Sequence, residues 1–281
     1  MPKVEEVLRK LREEATAKAA ATGRAVAANS ADSQQFAVRR DPINVIPRPD
    51  LLERARAVTL DRDTLDANRI RGIEGSDPGS AAYKMLRTRV LRRMRSNGWH
   101  SLAVTAARAA AGKTLTAINL AISLAQESNQ EVILVDLDLR NPRVASYLGL
   151  SPQFSLADYL TNDVPIEKVL LKPDIPGLYV APGAERLEQS SEMLASQKMA
   201  ILAQTLVSTS PSTIVVFDMP PLLEADDMLT FMPHVDAVLF VVAQLETQQS
   251  DLERSNELFK ELNLIGTVLN KSRDEAPSNY Y

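Results

Sequence analysis

The chain contains no cysteine, so neither a disulfide framework nor a thiolate metal site can form, and a reducing compartment suits it. Long apolar runs are missing as well: "VDAVLFVVAQL" at 235–245 falls well short of the roughly 20 residues that cross a bilayer. Glu5, Glu6, Glu13 and Glu14 interrupt the N-terminal stretch, which speaks against a secretory signal peptide. Positive charge is not in excess. The formal balance of −4 argues against a nucleic-acid partner. Glycine is scarce, 10 in 281 residues, and the scarcity reaches the loop where glycine matters most.

A chain of 281 residues can bury one substantial core and leave length for an appendage. Val4, Val7, Leu8 and Leu11 fall on one helical face, which predicts a first helix over 3–22 that needs a partner to be stable. Residues 24–78 carry Pro42, Pro47, Pro49 and Pro78 among polar residues and read as a loosely ordered linker, with only "DLLERARAV" in helical pattern. The expected division is an N-terminal helix and flexible linker at 1–75, a nucleotide-binding domain at 76–275 and a flexible tail at 276–281.

From Tyr83 the texture changes. Short β-rich runs, "SLAVTA", "EVILVD", "GLYVAP", "STIVVFD", "AVLFVV" and "IGTVLN", alternate with helical patterns at 113–127, 190–207 and 247–262. That alternation predicts an α/β fold, a mostly parallel sheet with helices on both faces. Ligands in such folds sit at the carboxyl ends of the strands.

The motif G-x-x-x-x-G-K-[ST] aligns with Ala107, Arg108, Ala109, Ala110, Ala111, Gly112, Lys113 and Thr114, between the strand "SLAVTA" and the helix "TLTAINLAISLAQ". Backbone N–H groups at the helix start, Leu115 included, would cradle phosphates. Lys113 would reach the β- and γ-phosphates, and the Thr114 hydroxyl would meet Mg²⁺. Two further strands end in acids. "VILVDLDLR" places Asp136, Asp138 and Arg140 at alternate positions, and "TIVVFDMPP" ends in Asp218, with Pro220 and Pro221 stiffening the exit. Three carboxylates beside a Gly-Lys-Thr loop point to a Mg²⁺-nucleotide site.

These runs, with "SSEMLAS", "GTVLN", "AAYKMLRTRVL" and a chain ending in Tyr280-Tyr281, resemble the bacterial tyrosine kinases of exopolysaccharide biosynthesis, cytoplasmic relatives of the MinD and ParA ATPases. The resemblance covers about residues 76 to 281. It implies a P-loop kinase domain using ATP and Mg²⁺, with Asp136 as base, Thr114, Asp138 and Asp218 toward the metal, Asn270 toward adenine, and Tyr280 and Tyr281 as acceptors. It also implies a membrane chain-length regulator as activator, a tyrosine phosphatase, a homo-oligomer (dimer or ring) and recruitment to the inner face of the membrane. The alternatives are a MinD- or ParA-like ATPase switch and a pseudokinase scaffold.

The sequence departs from that family in three places. The loop lacks glycine at Ala107, Ala109 and Ala110, where a methyl group penalises φ > 0 or close phosphate approach. Arg108 stands where MinD-type ATPases carry a lysine that reaches across a dimer; otherwise it faces solvent. An E-x-x-R-x-x-R pattern that joins subunits reads Ala81, Lys84, Arg87 here, on a helix made basic by Arg89, Arg92, Arg93 and Arg95. That helix presents a solvated face or meets an acidic partner or an anionic leaflet.

Overall fold

The computed structural model describes residues 48–72, 78–183, 186–260 and 262–272. The expected first helix at 3–22, the linker as far as residue 47 and the tail with Tyr280 and Tyr281 lie outside the described residues.

Eight strands form one sheet: β1 Arg56–Val58, β2 Ser101–Ala106, β3 Glu131–Asp136, β4 Leu171–Pro173, β5 Leu178–Ala181, β6 Thr213–Asp218, β7 Ala237–Ala243 and β8 Leu264–Asn270. Their order is β1-β4-β5-β3-β6-β2-β7-β8. Every neighbouring pair is parallel except β4 and β5. The central strands are buried on both faces because alternate residues feed two separate cores. Ile133, Val135, Val215 and Phe217 enter one. Val132, Leu134, Val216 and Val104 enter the other. Strands sandwiched in this way need apolar residues at every position, which is why they read as unbroken runs.

The helix Lys113–Ala125 covers one face of the sheet, where Ile118, Leu120, Ile122 and Leu124 share a core with Val90, Leu91 and Met94 of the helix Pro78–Asn97. The other face is covered by Met199, Leu202 and Leu206 of Gln197–Val207 and by Leu252 and Phe259 of Gln249–Phe259. The helical pattern expected over 190–207 divides into Ser190–Leu194 and Gln197–Val207, because Ser196 turns out of the helix and its hydroxyl caps the second piece by accepting from the Met199 N–H (3.2 Å). Among the described residues no helix is long and apolar enough to cross a membrane.

The linker expectation fails for residues 48–72, which form a folded strap around the edge of the sheet. Leu51 and Leu52 join one core, Leu60, Leu65 and Ile70 the other, and β1 pairs with β4 between them. Each such side chain withdrawn from water contributes about 1.5–3 kcal/mol. The strap ends on the helix Lys113–Ala125, where the buried Asn119 side-chain oxygen Oδ1 accepts from the N–H groups of Arg71 and Gly72, the latter at 2.6 Å. A side chain at Gly72 would collide with the Asn119 main-chain carbonyl, its Cβ falling 2.4 Å from the backbone oxygen.

Candidate nucleotide site

β2, β3 and β6 lie side by side, so the loop after β2 and the acids that end β3 and β6 meet at one end of the sheet. Asp136 and Asp218 are Cα partners in register. The segment leaving β6 runs along the loop: Leu222 and Leu223 donate backbone N–H groups to the carbonyls of Ala106 (2.8 Å) and Ala107 (3.1 Å). The Thr105 hydroxyl donates to the Pro220 carbonyl at 2.7 Å.

Lys113, the first residue of its helix, is buried. Its ammonium donates to Asp138 Oδ2 at 2.6 Å and Thr114 Oγ1 at 3.3 Å, and lies 3.8 Å from Asp218 Oδ1. Burial pulls the Lys113 pKa down, but the charges of Asp218 and Asp138 outweigh it and the net shift is upward. Asp136 Oδ2 accepts from the N–H groups of Arg143 (3.0 Å) and Val144 (2.9 Å). Burial, with repulsion from Asp218, pushes the Asp136 carboxyl up to about 8. Burial likewise pushes Asp218 up to about 6, against the attraction of Lys113.

Asp136 Oδ1 and both oxygens of Asp218 are buried without a hydrogen-bond partner. Orphaned carboxylate oxygens around a single ammonium make a site short of positive charge and ready for a cation. Among the described residues no three His, Cys, Asp or Glu side chains converge as metal ligands. Mg²⁺ is commonly held through one or two carboxylates, waters and substrate phosphates.

The loop itself is ordered. Gly112 has φ +90°, and a Cβ there would fall 2.1 Å from Asn270 Nδ2. Glycine is therefore required for two reasons. Ala110 also adopts a left-handed conformation, φ 62°, at a cost of about 1 kcal/mol for an L-residue. Ala107 does not have positive φ, and its methyl is buried in the core. Of the positions that lack the usual glycine, Ala110 is the one with a conformational cost.

Other expected residues are occupied locally. Arg108 forks onto Asp251, with Nε–Oδ2 at 2.7 Å and Nη2–Oδ1 at 2.9 Å. Arg140 reaches Asp227 (3.2 Å from Nη2) and Ser191 (3.3 Å). Asn270 donates to the Ala111 carbonyl at 2.8 Å, and Leu115 packs beside the core below the loop. Arg87 pairs with Glu127 at 3.0 Å and donates to the Ser123 carbonyl, so it is committed within its own chain. The sequence reading missed Asp251 and Glu224, whose carboxylate accepts from the Ala109 N–H at 2.9 Å. Asp251 carries a signal in retrospect: it shares a helical face with the buried Leu252, Ser255 and Phe259, where an acid needs a partner. Glu224 carries none.

A Gly-Lys-Thr loop joining a central parallel strand to a helix, with carboxylates ending the adjoining strands, defines a P-loop nucleotide-binding protein. The chain belongs to the AAA domain family, whose model matches residues 100–273, more than half of its length. It is similar to the tyrosine-protein kinase YwqD of Bacillus subtilis, 25% identical over 77% of this chain and 91% of that protein. It also resembles the succinoglycan biosynthesis transport protein ExoP of Rhizobium meliloti, 29% identical over 61% of the chain. The match spans only 22% of ExoP, and the same share of a tyrosine-protein kinase from Acinetobacter johnsonii. In fold it is similar to the kinase domain of the Escherichia coli tyrosine kinase ETK, with a TM-score of 0.66 at 24% identity over 84% of this chain and 100% of that one.

Proposed function

We propose that the chain is an ATP-dependent protein-tyrosine autokinase that regulates polymerisation or export of an exopolysaccharide. The observation that carries this reading is the Lys113–Asp138 pair set among the unpartnered oxygens of Asp136 and Asp218, at the head of a phosphate-binding loop. Phosphoryl transfer demands mainly positioning and charge stabilisation, and these groups supply both. Lys113 would exchange Asp138 for the β- and γ-phosphates of ATP. Mg²⁺, held toward Thr114, Asp138 and Asp218, would neutralise charge building on the transferred group. Asp136, oriented by the N–H groups of Arg143 and Val144, keeps Oδ1 for the tyrosine hydroxyl. With Mg²⁺ present to favour the ionised Asp136 carboxylate, Oδ1 would take the phenolic proton, the phenolic oxygen would bond to the γ-phosphorus, and the bond to the β-phosphate oxygen would break.

Tyr280 and Tyr281 are the proposed acceptors. A membrane chain-length regulator, a tyrosine phosphatase and a second copy of the chain are the proposed partners, on the cytoplasmic side of the membrane. The ATPase-switch reading leaned on Arg108 reaching across a dimer, and the fork onto Asp251 commits that side chain within its own subunit. The test is peptide mapping after incubation with Mg-ATP, alone and with the cytoplasmic segment of a regulator. Phosphate on Tyr280 or Tyr281 that disappears in Asp136→Asn supports the proposal. An unmodified tail beside a competent regulator overturns it.

A further inference from the structure

We infer that Asp251 and Glu224 are positioning residues for the phosphate-binding loop, which hold a loop built of alanine in the shape that nucleotide requires. The inference rests on the nucleotide-binding reading above and names side chains that the loop motif does not include.

An alanine at φ 62° occupies a region that L-residues disfavour, so a loop held only at its two ends would relax away from it. Here the neighbours of Ala110 are fixed from outside. On its N-terminal side, the Arg108 guanidinium makes two hydrogen bonds to the two oxygens of Asp251. The planar fork fixes direction as well as distance, which a lysine could not do. Asp251 is 3% exposed and Arg108 53% exposed, so the constraint runs from the packed helix to the loop. Leu252 and Phe259 anchor that helix in the core.

The next residue, Ala109, gives its N–H to Glu224, on the segment that follows β6. On the far side of Ala110, the Ala111 carbonyl accepts from Asn270 at the end of β8. Ala110 therefore sits between residues tied to three separate parts of the fold. Leaving the left-handed region would strain those ties. A glycine at 110 would need no such restraint, because both hands are open to it.

The test uses the full chain and two measurements: the Kd for Mg-ATP, and amide hydrogen exchange across 107–112 in the nucleotide-free protein. Asp251→Asn breaks the fork while keeping shape, and should weaken Mg-ATP on the order of tenfold, the usual scale for a lost charge-assisted bond. Glu224→Ala should weaken it by a smaller factor, and Glu224→Gln, whose amide oxygen still accepts from Ala109, should recover it. In an Ala110→Gly background the Asp251→Asn penalty should shrink severalfold. Loop amides should exchange faster in Asp251→Asn than in the parent, while the melting temperature moves little.

Unchanged exchange in Asp251→Asn, or a penalty of equal size in both backgrounds, overturns the inference. Failure of the unaltered chain to bind Mg-ATP would overturn the nucleotide reading instead. The exchange data would still decide whether these side chains hold the loop.

Discussion

Asp136 and Asp218 stand in register at the ends of adjacent parallel strands, both fully buried, and share with Asp138 the single ammonium of Lys113. Both carboxyls are pushed up, to about 8 and about 6, by burial first. The folded chain thus keeps protons that the unfolded chain releases near pH 4. Between those values the native state binds more protons than the unfolded state, so stability falls as pH rises. With EDTA and no nucleotide, the melting temperature should decline from about pH 5 to about pH 8.5, and Asp136→Asn should flatten the decline. A profile that rises over this range would contradict the burial of these groups.

Lys113→Met removes the counter-charge from three carboxylates. Nucleotide binding should be abolished in a titration that detects the parent. The nucleotide-free variant should be destabilised by about 3–5 kcal/mol at high pH, where the carboxylates are ionised, and by less at about pH 5.5. Equal ATP affinity in parent and variant would sink the site assignment.

Ala110→Gly and Ala107→Gly should act in opposite directions. The first relieves a left-handed alanine and should stabilise the loop by about 0.5–1 kcal/mol. The second removes a buried methyl and frees the backbone, costing about 1–2 kcal/mol. Chemical denaturation of both variants, together with their Mg-ATP affinities, checks the signs.

Gly112→Ala should eliminate nucleotide binding, because its Cβ would meet Asn270 Nδ2 and its backbone has φ +90°. Removing the obstacle in a Gly112→Ala, Asn270→Ala double variant should restore little, since the backbone penalty persists and the Ala111 carbonyl loses its donor. Full recovery in a binding titration would show that the collision alone requires glycine.

Leu65→Ala, in the strap, should cost about 2–5 kcal/mol, as expected for a leucine with 2% exposure. Urea denaturation measures it. A cost below about 0.5 kcal/mol, typical of surface positions, would restore the reading of a loose linker.

The central strands were legible because burial on both faces leaves little freedom in their composition. The loop was legible from Gly112, Lys113 and Thr114, and the acids from their place at the ends of apolar runs. What escaped depends on contacts between distant parts of the chain. Leu51, Leu52, Leu60, Leu65 and Ile70 follow neither a helical nor a strand period, since the strap follows the outline of a sheet that its own sequence does not encode. β4, "LKP", is too short to rise above background. Arg108 and Arg140 were visible as charges, but their partners Asp251 and Asp227 come from elements far along the sequence.

The strap also bears on the order in which the molecule is assembled. Its strand pairs with Leu171 to Pro173, and its far end hangs from Asn119. A ribosome releases these residues before the groups that secure them. The sheet itself needs closures as long, since Ser101 pairs with Val215 and Leu102 with Ala237. The strap therefore cannot dock until the segments that hold it have been synthesised. Until it does, the helix that begins with Lys113 shows its Asn119 face to whatever chaperone attends the growing chain.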